Sequence, residues 1–178
     1  LGSDVGEILV KDACILIDLI ELNLLSIFTA LDYEVLTTSA VVMEVTKKSQ
    51  KMELEKCIVN GDVKTEDSGS LSGIMTLQEK YRGLSYADAS VLELALRKQV
   101  ILLSADGLLR KAALNEDNQV HGTLWIIEKL HYKRMISVGT AVGKLQELMR
   151  INKRITSEIC YATIKRIEEE ETTYHLNK

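Results

Sequence analysis

The sequence predicts an α/β fold, a three-layer α/β/α sandwich around a central parallel sheet of about four or five strands. Short runs of Val, Ile and Leu alternate with stretches whose apolar residues recur every three or four positions. That is the order of strands joined by crossover helices. No proline, repeat or low-complexity tract interrupts the 178 residues, so nothing marks a linker. With one Phe and one Trp, the core must come from Leu, Ile, Val and Ala.

The elements follow in order. "EILVKD" (7–12) reads as a short buried strand, and "ACILIDLIELN" turns helical through Ile15, Leu16, Leu19 and Ile20. A second short helix covers Leu24–Leu31, and "YEVLTT" (33–38) is strand-like. "SAVVMEVTKK" (39–48) reads as a helix capped by Ser39, and 51–60 as helical. "GDVKTED" (61–67) suits a short strand, and 72–83 a helix ended by Gly83. "SYADASVLELALRKQ" (85–99), with Ser85 as cap, is the clearest helix, and "VILLS" (100–104) the clearest strand. Helices are expected at 107–115, 122–132, 139–150 and 154–168, with a polar, frayed tail after the acidic run 168–171. Leu1-Gly2-Ser3 is left out of this reading.

A net charge of −4 excludes a protein that simply coats nucleic acid, which would be basic, so any nucleic-acid contact must be local. Cys14, Cys57 and Cys160 are far apart, and His121, His131 and His175 are dispersed. Neither a disulfide framework nor a structural zinc site is expected, the cysteines are read as packing residues, and a reducing, cytoplasmic setting is the default. The most apolar stretch carries Asp18 and Glu21, which argues against a membrane span, and no signal-peptide pattern is expected.

Four acids stand at telling places. Asp12 and Asp106 each end a strand and begin a helix, so each could be an ordinary helix cap. Asp88 follows Ser85 by three residues, the spacing of a capping box, and Glu44 could be a solvated helix residue. In a parallel sheet, however, Asp12 and Asp106 share the carboxyl edge, where open α/β sheets place ligands. The helix at 85–99 must run antiparallel to the strand after it, which returns Asp88 to that edge, and Glu44 leaves the preceding strand at the same end. Asp88 lines up with Val91, Leu92 and Ala95, and Glu44 with Ala40 and Val41, so both should point inward. Asp18 is read as a helix-surface residue without a ligand role. Two carboxylates about 4 Å apart repel by roughly 4 kcal/mol at an effective dielectric near 20. Either some are protonated or a divalent ion sits among them, and oxygen-only ligands select Mg²⁺ or Mn²⁺.

"VKDACILIDL" with Asp12, "SAVVMEV" with Glu44, "LSYADASVLELA" with Asp88 and "ILLSADGLLRKAA" with Asp106 together resemble the PIN-domain family over about residues 7–150. "VHGTLWIIEKL" (120–130) is similar to the segment after the last acid in prokaryotic members. The resemblance implies a PIN-like nuclease domain at 7–150, with 151–178 a C-terminal helix and tail packed on or extending from it. It implies a metal-dependent ribonuclease in which Asp12, Glu44, Asp88 and Asp106 are the catalytic metal ligands. Ser104 would orient that cluster; Cys14 stands where the family often has Asn or Ser, a better hydrogen-bond partner. The products would be a 5′-phosphate and a 3′-hydroxyl. Many prokaryotic members are VapC-like toxins, so an antitoxin protein is an expected partner beside the RNA substrate; separately, apolar helices in excess of a small sheet suit a homodimer. Lys47, Lys48, Arg110 and Lys111 are expected to meet RNA phosphates. The competing reading is a PIN-fold binding or regulatory module with little or no cleavage, acting through a protein partner. A phosphotransfer receiver fits less well, because "VKDAC" offers one acid and "LLSAD" has no nearby Lys.

Overall fold

The computed structural model describes residues 7–67 and 69–176, and only the backbone of 7–10. The expected burial of side chains 7–10, Leu1-Gly2-Ser3 and the last two tail residues lie outside that description. The chain is mixed α/β and helix-rich. It divides into two compact units, one ending at Gly122 and the other starting at Thr123.

The first unit opens with β1 (Glu7–Lys11), α1 (Ala13–Glu21), α2 (Leu25–Thr29), β2 (Tyr33–Thr37), α3 (Ser39–Glu44) and α4 (Lys48–Val59). It continues with β3 (Lys64–Thr65), α5 (Leu71–Lys80), α6 (Tyr86–Lys98), β4 (Ile101–Leu103), α7 (Gly107–Asn115) and β5 (Val120–His121). The strands pair in the order β3-β2-β1-β4-β5, every pair parallel. β1 therefore lies between β2, with Leu9 opposite Val35, and β4, with Lys11 opposite Leu103. All five strands end at one edge, which collects the loops leading into α1, α3 and α7.

Burial explains the arrangement. Ile15, Leu16 and Leu19 of α1, Leu102 and Leu103 of β4, and Val91, Leu92 and Ala95 of α6 are all fully buried. Each such Leu or Ile contributes about 1.5–3 kcal/mol against the entropy of ordering the chain. α6 packs on β1 and β4. Its start is fixed by a capping box: Ser85 Oγ accepts from the Asp88 amide at 3.0 Å, and Asp88 Oδ2 accepts from the Ser85 amide at 3.2 Å. It stops at Gln99, whose φ of 57° turns the chain directly into β4.

Several local expectations are corrected. The cap of α3 is Thr38, whose Oγ1 accepts from the Val41 amide at 3.3 Å; Ser39 is the first helical residue. α3 also stops at Glu44 and does not reach residue 48, because Val45 goes extended and is buried. α5 ends at Lys80, before Gly83, because Tyr81 leaves helical geometry and its hydroxyl donates to Glu116 at 2.5 Å. Asp18 is buried, not on the surface, because it shares a face of α1 with Ile15 and Leu22. β5 was not anticipated: two residues paired with Leu102 and Leu103 carry no periodicity.

The second unit consists of α8 (Thr123–Tyr132), α9 (Val138–Ile151) and α10 (Ser157–Leu176). Ala141, Leu145 and Leu148 of α9 and Cys160, Ile164 and Ile167 of α10 are buried. The expected fraying after residue 171 is not seen. α10 stays helical to Leu176, supported by pairs one turn apart such as Glu171 with His175 at 3.1 Å. Among the described residues no disulfide joins Cys14, Cys57 or Cys160, and no helix is long and apolar enough to cross a membrane.

Candidate active site

The carboxyl edge of β1 and β4 is organised around one hydroxyl. Ser104, fully buried just past β4, donates its Oγ hydrogen to Asp12 Oδ2 and accepts from the Asp106 amide at 3.0 Å. A backbone bond from the Asp12 amide to the Leu103 carbonyl, 3.1 Å, holds the same two strand ends together.

Asp12 and Asp106 are also helix caps. Asp12 Oδ1 accepts from the Ile15 amide at 2.9 Å, opening α1. Asp106 Oδ1 accepts from the Leu108 and Leu109 amides, both at 3.0 Å, opening α7. The cap fixes where each carboxylate stands, so capping and site formation are one arrangement. Asp88, half-buried in the first turn of α6, receives Ser85 Oγ at 2.9 Å on the Oδ2 that closes the capping box. Glu44 ends α3 and is exposed; Ser85 Oγ approaches its Oε1 at 3.3 Å. Ser85 therefore bridges Glu44 and Asp88. Its spacing signals a cap, and the bridge follows only from the tertiary packing of α3 on α6.

Electrostatics tie the group together. Burial pushes the Asp12 carboxyl up to about 7, the Ser104 and Ile15 hydrogen bonds pull it down, and the charges of Asp88 and Asp106 push it up again. Among the described residues no cation lowers it. Glu44 is raised by burial and then by Asp88, with the Ser85 bond opposing. Lys11, next in the chain to Asp12, gives no relief, because successive strand residues point to opposite faces. Its ammonium is fully buried 3.8 Å over the Phe28 ring, and burial holds its pKa well below the usual lysine range.

The four acids do not form a tight ligand cage. Among the described residues, the group whose ligand atoms all lie within 4.8 Å of one another is His131, Glu170 and Glu171 in the second unit. Of the expected phosphate contacts, Lys47 is paired with Glu21 at 2.7 Å, and Arg110 Nη1 donates to the Ser104 carbonyl at 2.8 Å. Lys48 and Lys111 are exposed.

A family model described as "DUF3368: PIN domain" matches residues 8–169. The chain belongs to the PIN-domain family. PIN domains are generally nucleases and usually use divalent metals. No curated protein matches this PIN domain. Among solved structures it is similar to the "Crystal structure of PAE2754 from Pyrobaculum aerophilum", at 19% identity and a TM-score of 0.44, covering 60% of this chain and 85% of that one. The donor set of this PIN domain fits a hard divalent cation on its own terms. It is all oxygen, and its most buried carboxylate, Asp12, is raised by burial and by the charges of Asp88 and Asp106.

Proposed function

We propose that this PIN domain is a divalent-metal-dependent endoribonuclease whose site is Asp12, Glu44, Asp88 and Asp106. The observation that carries the reading is the Asp12 carboxyl, buried at a strand end and raised to about 7 partly by Asp88 and Asp106. Such an arrangement is costly when empty and stabilised by a divalent cation. The strand pairs are read as the centre of a three-layer α/β/α sandwich, which puts ligands at the carboxyl edge.

Asp12, Glu44, Asp88 and Asp106 would hold one or two Mg²⁺ or Mn²⁺ ions. When bound, such an ion neutralises phosphate oxygen and lowers the pKa of water. The chain's own groups set the geometry. Ser104 fixes Asp12 relative to Asp106, and Ser85 fixes Asp88 relative to Glu44. Exposed Lys48 and Lys111 are free to meet the RNA backbone, whereas Lys47 would have to leave Glu21 and Arg110 the Ser104 carbonyl. A VapC-like toxin role with an antitoxin partner, a homodimer and a cytoplasmic setting belong to the same proposal.

The test is cleavage of a single-stranded RNA with Mn²⁺. Wild type should cut and Asp88→Asn should not; equal cutting by both identifies a contaminating nuclease. The wide spacing of the acids favours the second reading, a binding module with little cleavage. Absence of Mg²⁺ or Mn²⁺ binding at millimolar metal in a calorimetric titration would select that module.

A further inference from the structure

The second unit carries a cluster for which the acidic site has no use. His131 on α8 is 2% exposed. Its Nε2 lies 2.9 Å from Glu170 Oε2 and 3.5 Å from Glu171 Oε2, both on α10. Despite these distances, neither ring nitrogen of His131, nor Glu170 Oε2, makes a hydrogen bond of acceptable geometry among the described residues. Buried polar atoms this close normally share a well-directed hydrogen. Lone pairs that crowd one another without sharing one suit a common third atom. His131 and Glu170 also line a cavity of about 320 Å³, bounded further by Trp125, Lys129, Tyr132 and Arg166. The cavity gives an ion an approach and leaves room for a further ligand.

The geometry points to a binding site for a borderline transition-metal cation, Zn²⁺ foremost, held by His131 Nε2, Glu170 Oε2 and Glu171 Oε2. One imidazole and two carboxylates, with a position left open, is a ligand set that zinc accepts. Mg²⁺ prefers oxygen and several waters. The spacing of His131 and Glu170 is also close to that of neighbouring ligands around such an ion, since zinc–ligand bonds are about 2 Å.

Arg134 is the competitor. Its guanidinium donates to Glu171 Oε2 and, at 3.2 Å, to Glu170 Oε1, while stacking 3.8 Å over Tyr174. Glu171 Oε1 is bonded by His175 at 3.1 Å. Without metal, Arg134 neutralises the pair. Zn²⁺ must displace it from Glu171 Oε2 but not from Glu170 Oε1. Removing Arg134 should therefore tighten metal binding, the opposite of what a purely structural ion-pair network would show.

The experiment uses the full chain carrying Asp12→Asn and Asp88→Asn, which disables the acidic site and separates this inference from the nuclease reading. Zn²⁺ alone is titrated calorimetrically, with Co²⁺ visible absorption as a second probe. One equivalent should bind at micromolar or lower metal. His131→Gln or Glu170→Gln should each weaken binding by about 30-fold or more, and Arg134→Gln should strengthen it by about threefold or more. His175→Ala should retain the site. No binding at 100 µM Zn²⁺, or binding unchanged by both ligand substitutions, overturns the assignment. Should His131→Gln lose its far-ultraviolet circular dichroism, Glu170→Gln, on the outer side of the cluster, decides alone.

Discussion

Two clusters of carboxylates in this protein meet opposite electrostatic conditions. At the strand edge, Asp12 is buried near Asp88 and Asp106 with no cation among the described residues to offset it, and its carboxyl rises to about 7. On α10, Glu171 is held below the usual glutamate range, first by its hydrogen bond to Arg134. There the Glu171 charge is met by Arg134 and His175, while Glu170 Oε2 beside His131 makes no hydrogen bond among the described residues. The first leaves the Asp12 carboxyl without an offsetting cation among the described residues, which is what the proposed nuclease reading asks of a metal site. The number of acids therefore says less about a cluster than which of its oxygens are already satisfied.

The largest expected effect comes from removing a charge at the unbalanced cluster. Asp12→Asn or Asp88→Asn should lower Mn²⁺-dependent RNA cleavage by at least about 100-fold in a single-turnover assay. If both variants keep wild-type rates, the strand-edge acids are not the site.

Next is the pH dependence of metal-free protein. The Asp12 pKa is higher folded than unfolded, so the folded state binds its proton more tightly. Stability from this group is full below about pH 4 and is lost as pH rises through about 7. The loss approaches 4 kcal/mol in order of magnitude. Urea unfolding in chelator should show this decline in wild type and a flatter profile in Asp12→Asn. Adding Mn²⁺ at pH 8 should restore stability to wild type alone. A flat wild-type profile would remove the contrast between the clusters.

A smaller effect tests the organising hydroxyl. Ser104→Ala should destabilise by about 1–3 kcal/mol, since it orphans a buried carboxylate oxygen and an amide. It should also cost about tenfold in cleavage, and Ser104→Thr should recover much of that. Lys11→Met should stabilise by about 1–2 kcal/mol, because the buried amine makes no hydrogen bond among the described residues. It should leave the Asp12 pH profile unmoved; a steeper or flatter profile would show that Lys11 does act on Asp12. The smallest effect belongs to the balanced cluster: Arg134→Gln in metal-free protein should shift Tm by no more than about 2 °C, as exposed ion pairs contribute little.

How much was legible in the sequence depended on whether a signal was local. Asp12, Ser85 and Asp106 announce themselves because a cap must sit directly before its helix, and all three are caps. The α6–β4 unit was legible from its apolar periodicity and capping box. β5 was not, since two residues have no period and exist as a strand only by pairing with β4. Asp18 misled because an acid on an apolar helix suggests the outer face, whereas its neighbours one and two turns away are core. The Ser85 bridge to Glu44 spans 41 residues, and the His131–Glu170 approach joins two helices, so neither has a local trace.

The Ser104–Asp12 bond joins positions 92 residues apart. A chain cut before β4 lacks Ser104 and Asp106 altogether. On the proposed nuclease reading, this timing would be protective. On that reading a ribosome-bound or prematurely terminated product would be harmless, because the site would be assembled only once synthesis has passed the fourth strand and closed it against the first.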